Sequence, residues 1–157
     1  MNILVLCTGN SARSILLETI LTHCSEGRIQ AWSAGSKPAG KVHPQSIKLL
    51  DNKGLPTKNL SSQSWDEYAK PDAPVMDAVI TVCGSAAAEE CPYWPGAPIR
   101  AHWGVEDPAA AKHEDQPAAF AEAYRLLRAK ADALFDLSFD DMDETTLRTA
   151  LNKIGQS

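Results

Sequence analysis

Asn2-Ile3-Leu4-Val5-Leu6, followed by Cys7-Thr8-Gly9-Asn10-Ser11-Ala12-Arg13-Ser14, is the stretch on which the fold turns. The first five residues form an unbroken apolar run. It is too short for a buried helix and fits a central parallel strand covered on both faces. Residues 7–13 carry Gly9 and Asn10 and read as a loop. From Ser14 onward Ile15, Leu16, Ile20, Leu21 and Cys24 trace one helical face, and Gly27 ends the helix. Cys24 lies on that apolar stripe and reads as core.

The loop is C-x5-R-S between a strand and a helix. Thr8, Gly9, Asn10, Ser11 and Ala12 can curl so that their N–H groups point inward and form an anion nest. The helix start adds its positive end. Gly9 permits unusual backbone geometry, and Asn10 tolerates the left-handed region. Arg13 closes the ring with a planar fork that matches two oxygens of a tetrahedral oxyanion. The same nest favours a thiolate at Cys7, so its pKa is expected to fall below that of a free thiol. Ser14 is placed to donate to the sulfur. This is a nucleophile inside an oxyanion pocket.

Working outward, residues 28–34 alternate as a second strand, 77–82 read as a third and 98–103 as a weaker fourth. Helices are predicted over 44–53, 84–91, 117–135 and 143–154. Ser64 and Glu67 have capping-box spacing for a short helix before Pro71. Alternating strands and helices imply βαβ units, hence an α/β fold with a four-stranded parallel sheet covered on both faces. Ligands in such sheets bind beyond the C-terminal strand ends. Cys7, Cys83 and Asp107 each follow a predicted strand, so all three are expected on one rim.

A chain of 157 residues suits one domain. With 15 Lys+Arg against 20 Asp+Glu it is acidic and carries no basic run, which disfavours nucleic acid and anionic membranes as partners. No apolar stretch approaches a membrane span, and the N-terminus lacks a basic n-region, so a cytoplasmic protein is expected. The cysteines at 7, 24, 83 and 91 show no C-x2-C spacing, and no H-x3-5-H pair occurs. Thiol chemistry is therefore favoured over a zinc site. In the loop after the fourth strand, Asp107-Pro108 offers a carboxylic acid that could protonate a departing oxygen.

Cys-Thr-Gly-Asn-Ser-x-Arg-Ser resembles the active-site loop of the low-molecular-weight protein tyrosine phosphatases. It is still more similar to that of the arsenate reductases sharing their fold. The likeness continues through Trp32-Ser33-Ala34-Gly35, Thr81-Val82-Cys83, Cys91-Pro92 and His102-Trp103-Gly104-Val105-Glu106-Asp107-Pro108. It implies a single-domain three-layer sandwich over residues 1–136. The likeness does not cover residues 137–157, which are expected as a helical extension packed on the same domain.

The resemblance also implies a chemistry. Cys7 attacks arsenate while Asp107 assists loss of water. Cys83 attacks Cys7 and releases arsenite. Cys91 then moves the disulfide to Cys83–Cys91, and a thioredoxin- or glutaredoxin-type partner reduces it. Phosphate and sulfate would compete for the pocket. No cofactor is expected, since the electrons come from a thiol reductant. If 84–91 is helical, Cys83 and Cys91 lie about 12 Å apart, too far for a disulfide, so that segment is expected to unwind on oxidation.

Some relatives bind potassium beside the loop. Asn10, Glu18 and Ser33 match three of those positions, but the fourth, usually acidic, falls on Gln63, so no metal is expected. The sequence admits two rivals. One is a tyrosine phosphatase, against which Cys83 and Cys91 speak. The other is an oxyanion- or redox-responsive binding protein without turnover. Ala109 stands where the phosphatases carry a Tyr after Asp-Pro, which removes an aromatic that would hold a phosphotyrosine ring.

Overall fold

The computed structural model describes residues 1–83 and 98–157. Four strands, β1 (Asn2–Cys7), β2 (Gln30–Gly35), β3 (Ala78–Thr81) and β4 (Ile99–His102), form one parallel sheet in the order β2-β1-β3-β4. Every residue from Ile3 to Cys7 is buried, as a doubly covered central strand requires. The register aligns Cys7 with Gly35, Leu6 with Thr81, and Thr81 with His102, so the strands end together on one rim.

The described α-helices are α1 (Arg13–Cys24), α2 (Pro44–Asn52), α3 (Gln116–Phe135) and α4 (Glu144–Gly155). α3 buries Phe120, Ala123, Tyr124, Leu127, Ala131 and Leu134, the stripe that helical periodicity demands. α4 places Leu147, Leu151 and Ile154 in the same core. Its N-terminus is capped by Asp143, which accepts from Thr146 N at 2.7 Å. At its other end the buried Lys130 ammonium donates to the carbonyls of Ile154, Gly155 and Ser157. No helix among the described residues is long and apolar enough to cross a membrane.

Three local expectations change. The 77–82 strand is shorter, Ala78–Thr81, so Cys83 lies two residues beyond it. The helix at Ser64 is a single 3₁₀ turn, Trp65–Tyr68, and the capping box is not reciprocated: the Glu67 carboxylate pairs with Lys70 instead. Cys24 is half-buried at the core's edge, with Arg128 Nη1 3.3 Å from its sulfur. The predicted 84–91 helix, and Cys91 with it, lie outside the described residues.

Candidate active site

The loop after β1 is shaped by what takes its carbonyl groups. Thr8 O accepts from Lys37 N, and Gly9 O from Ala39 N and the Ser62 hydroxyl. Ser11 O accepts from His43 N and the Ser46 hydroxyl, and Ala12 O from Leu16 N. With the carbonyls drawn outward, the amide side of the loop is left to the cavity. α1 begins at Arg13 with no side-chain cap, so its first-turn amides add to that field. The cavity, about 250 Å³, is lined by Cys7 to Arg13 together with Asp107 and Ala109.

Asn10 locks the loop. It is fully buried at φ +48°, a left-handed conformation that Asn tolerates. Its Nδ2 donates to Ser14 Oγ at 2.8 Å and Ser33 Oγ at 2.9 Å, while its Oδ1 accepts from Gln63 N. Ser33 in turn donates to Glu18 Oε1. Burial pushes the Glu18 carboxyl up to about 7, against the opposing pull of the Ser33 hydrogen bond. The Ser14 hydroxyl accepts from Asn10 and keeps its own proton to donate.

Arg13 and Asp107 meet across the cavity mouth. Arg13 Nη1 donates to Val105 O at 2.8 Å, and Nη2 lies 3.8 Å from Asp107 Oδ2. Arg13 Nε is buried and unpartnered among the described residues, a donor that an oxyanion could take. Asp107 is nearly half exposed. Its Oδ1 accepts from Ala109 N, which fixes the carboxyl at the start of a 3₁₀ turn.

Cys83 comes to the same place. Its sulfur lies 3.4 Å from the hydroxyl of Thr8, the residue after Cys7, and the two thiols lie close enough for each to influence the other's ionisation. Both sulfurs are buried and unbridged. The expected fall in the Cys7 pKa is overturned by this neighbour. The Cys83 thiol and burial push the Cys7 thiol up, and repulsion from a Cys83 thiolate adds to them. Arg13 and the Thr8 amide pull the other way without prevailing. Two thiols in contact do not both ionise freely, and no spacing argument on the first loop alone could have included that.

Residues 2–148 match the family model described as low molecular weight phosphotyrosine protein phosphatase. The chain belongs to this family. Among its curated relatives is an arsenate reductase of Shouchella clausii, 36% identical over 68% of this chain and 73% of that protein. Another, from Bacillus subtilis, is 35% identical over 71% of this chain and 76% of its own length. A solved structure of an arsenate reductase from Archaeoglobus fulgidus superposes with a TM-score of 0.61 at 25% identity, covering 83% of this chain and 98% of that one.

In this member of the phosphatase family, the position facing Asn10, Glu18 and Ser33 does not suit a monovalent cation. Gln63 Nε2 donates to Ser33 O at 2.6 Å and to the Tyr68 hydroxyl at 3.1 Å. A neutral amide presents N–H groups where a cation needs oxygens, and hydrogen bonds close the cluster.

Among the sequence-predicted site residues, the rim brings together Cys7, Arg13, Cys83 and Asp107 around the Thr8–Ala12 backbone. Sequence reasoning missed the outer supports: Ser46, Ser62 and, above all, Gly35. A side-chain Cβ at Gly35 would collide with Thr8 O and lie 3.1 Å from Asn10 Cβ, so only glycine lets β2 lie against the loop. The one available signal was a glycine closing a strand predicted to flank the loop.

Proposed function

We propose that this protein reduces arsenate to arsenite with its own thiols, residues 1–136 carrying the chemistry and residues 137–157 packed on them. The observation that carries this reading is a second buried thiol, Cys83, seated 3.4 Å from the Thr8 hydroxyl at the oxyanion cup that Cys7 opens. A hydrolytic enzyme needs one nucleophile there. A reductase needs a second sulfur within reach of the first.

In the first step a Cys7 Sγ–As bond forms while the thiol S–H bond and an As–O bond break. The As–OH oxygen departs as water, taking a proton from the Asp107 carboxyl, which recovers the one that the thiol released. Arg13 and the loop amides hold the remaining oxygens. In the second step the Cys83 thiolate attacks Cys7 Sγ. The S–S bond forms, the S–As bond breaks, and its electron pair stays on arsenic, which leaves as arsenite. The two thiols are oxidised by two electrons, and As(V) becomes As(III). Cys91 then attacks Cys83, frees Cys7 as thiolate and leaves a Cys83–Cys91 disulfide. A dithiol protein of the thioredoxin or glutaredoxin type reduces that bond, and the cycle belongs in a reducing cytoplasm.

The two arsenate reductases that are 35–36% identical support the substrate. The test is coupled oxidation of NADPH by arsenate, thioredoxin and thioredoxin reductase. Wild-type protein should turn over continuously, whereas Cys83→Ala should form one adduct and stop. Continuous turnover by Cys83→Ala, or none by the wild type with either thioredoxin or glutaredoxin and glutathione, overturns the reading.

A further inference from the structure

The acid-bearing loop is fastened at its root to the C-terminal helix. Trp103, the residue after β4, is fully buried, and its indole Nε1 donates to Leu151 O on α4 at 2.9 Å. Gly155 packs so tightly on His102 O that a Cβ there would collide with it, and the same Cβ would lie 3.0 Å from Trp103 Cδ1. On its other side the same segment continues the sheet: Trp103 N donates to Thr81 O, and Val105 N to Val82 O. Val105 O then receives Arg13 Nη1, and Asp107 follows two residues later. Gln116, the first residue of α3, holds the far end of the loop through Ala109 O and Ala111 O.

We infer that α4 clamps the acid loop, and that Trp103 is a positioning residue for Asp107, acting through its indole N–H on Leu151 and through the close seat of Gly155 on His102. Asp107 is nearly half exposed; Ala109 N fixes its Oδ1 to its own loop, and outside that loop it has a 3.8 Å approach to Arg13. The carboxyl therefore goes where its loop goes and takes its place from the backbone that carries it. An error of an ångström at a proton donor is felt in the step it serves and much less in oxyanion binding, which rests on the loop amides. The inference rests on reading Asp107 as the acid.

Trp103→Phe keeps the buried ring and removes the N–H, while Gly155→Ala lifts the helix from the strand. In the coupled arsenate assay Trp103→Phe should lower kcat about fivefold or more, with KM and inhibition by inorganic phosphate within about twofold of wild type. In an Asp107→Asn background the same change should cost nothing further, because a residue acting through Asp107 has nothing left to position. An equal loss in both backgrounds, or no loss in the wild-type background while Asp107→Asn is impaired, overturns the clamp and leaves the acid reading standing. Full activity of Asp107→Asn overturns the acid reading and the clamp's catalytic role with it. Amide exchange reads the fastening without turnover: residues 104–111 should exchange faster in both variants while residues 2–16 do not change. Unchanged exchange at 104–111 in Trp103→Phe overturns the clamp even if Gly155→Ala fails to fold.

Discussion

Cys83 is seated beside Cys7 at the sheet's C-terminal rim, its sulfur 3.4 Å from the hydroxyl of the adjoining Thr8, although Cys7 ends β1 and Cys83 lies past β3. The contact sets the protonation of the nucleophile. Removing Cys83 removes the neighbouring thiol and its charge, which raise Cys7, and leaves Arg13 and the Thr8 amide opposed by burial alone. Cys83→Ala should therefore lower the Cys7 pKa, and iodoacetamide should alkylate Cys7 roughly three- to tenfold faster at pH 7. Peptide mass spectrometry of the reduced protein follows the site. Superimposable pH–rate curves for the two proteins would refute the pairing.

Arg13 offers the cavity a planar fork, with one nitrogen held by Val105 O and Nε unpartnered among the described residues. Lysine keeps the charge and loses the fork, together with its hydrogen bonds to a bound oxyanion. Arg13→Lys should weaken inorganic phosphate binding roughly 10- to 100-fold, the range for charge-assisted hydrogen bonds. Calorimetric titration of the reduced protein measures it. Unchanged affinity would show that the loop amides alone hold the anion.

What could be seen in the chain beforehand followed the range of the forces involved. β1 and α1 were legible because Ile3–Leu6 and the Ile15, Leu16, Ile20 stripe are local patterns. The rim position of Cys7, Cys83 and Asp107 followed from parallel topology alone. The sign of the Cys7 shift is not written in the first loop, because it depends on a sulfur brought in from beyond β3. The Ser64–Glu67 box looked complete until Lys70 competed for the carboxylate. Ser46 and Ser62 act on the loop only through folded contacts with Ser11 O and Gly9 O, and nothing in their local sequence marks them.

Gly35 tests whether the loop's shape depends on its neighbour strand. A Cβ at this position meets backbone, Thr8 O, which cannot swing aside as a side-chain end would. Gly35→Ala should cost ~1–3 kcal/mol in urea unfolding, the range for overpacking. It should also weaken phosphate binding, since the displaced atoms belong to the cup. Lost stability with intact phosphate affinity would mean that β2 yields and the loop does not.

Glu18 links the loop's buried hydrogen bonds to pH. Its carboxyl stands at about 7 in the folded protein, against an ordinary 4.5, because burial disfavours the charge. Between those values the native state keeps a proton that the unfolded chain has released, so stability falls as pH rises through this window and levels off above it. The whole displacement is worth on the order of 3 kcal/mol. Glu18→Gln still offers Ser33 an oxygen to donate to and has no proton to lose. Relative to wild type the variant should gain stability between pH 5 and pH 8 by up to that amount, read from urea midpoints at the two pH values. Titrations elsewhere in the molecule cancel in the comparison. A difference between the two proteins that is the same at both pH values would show that Glu18 is charged in the fold throughout.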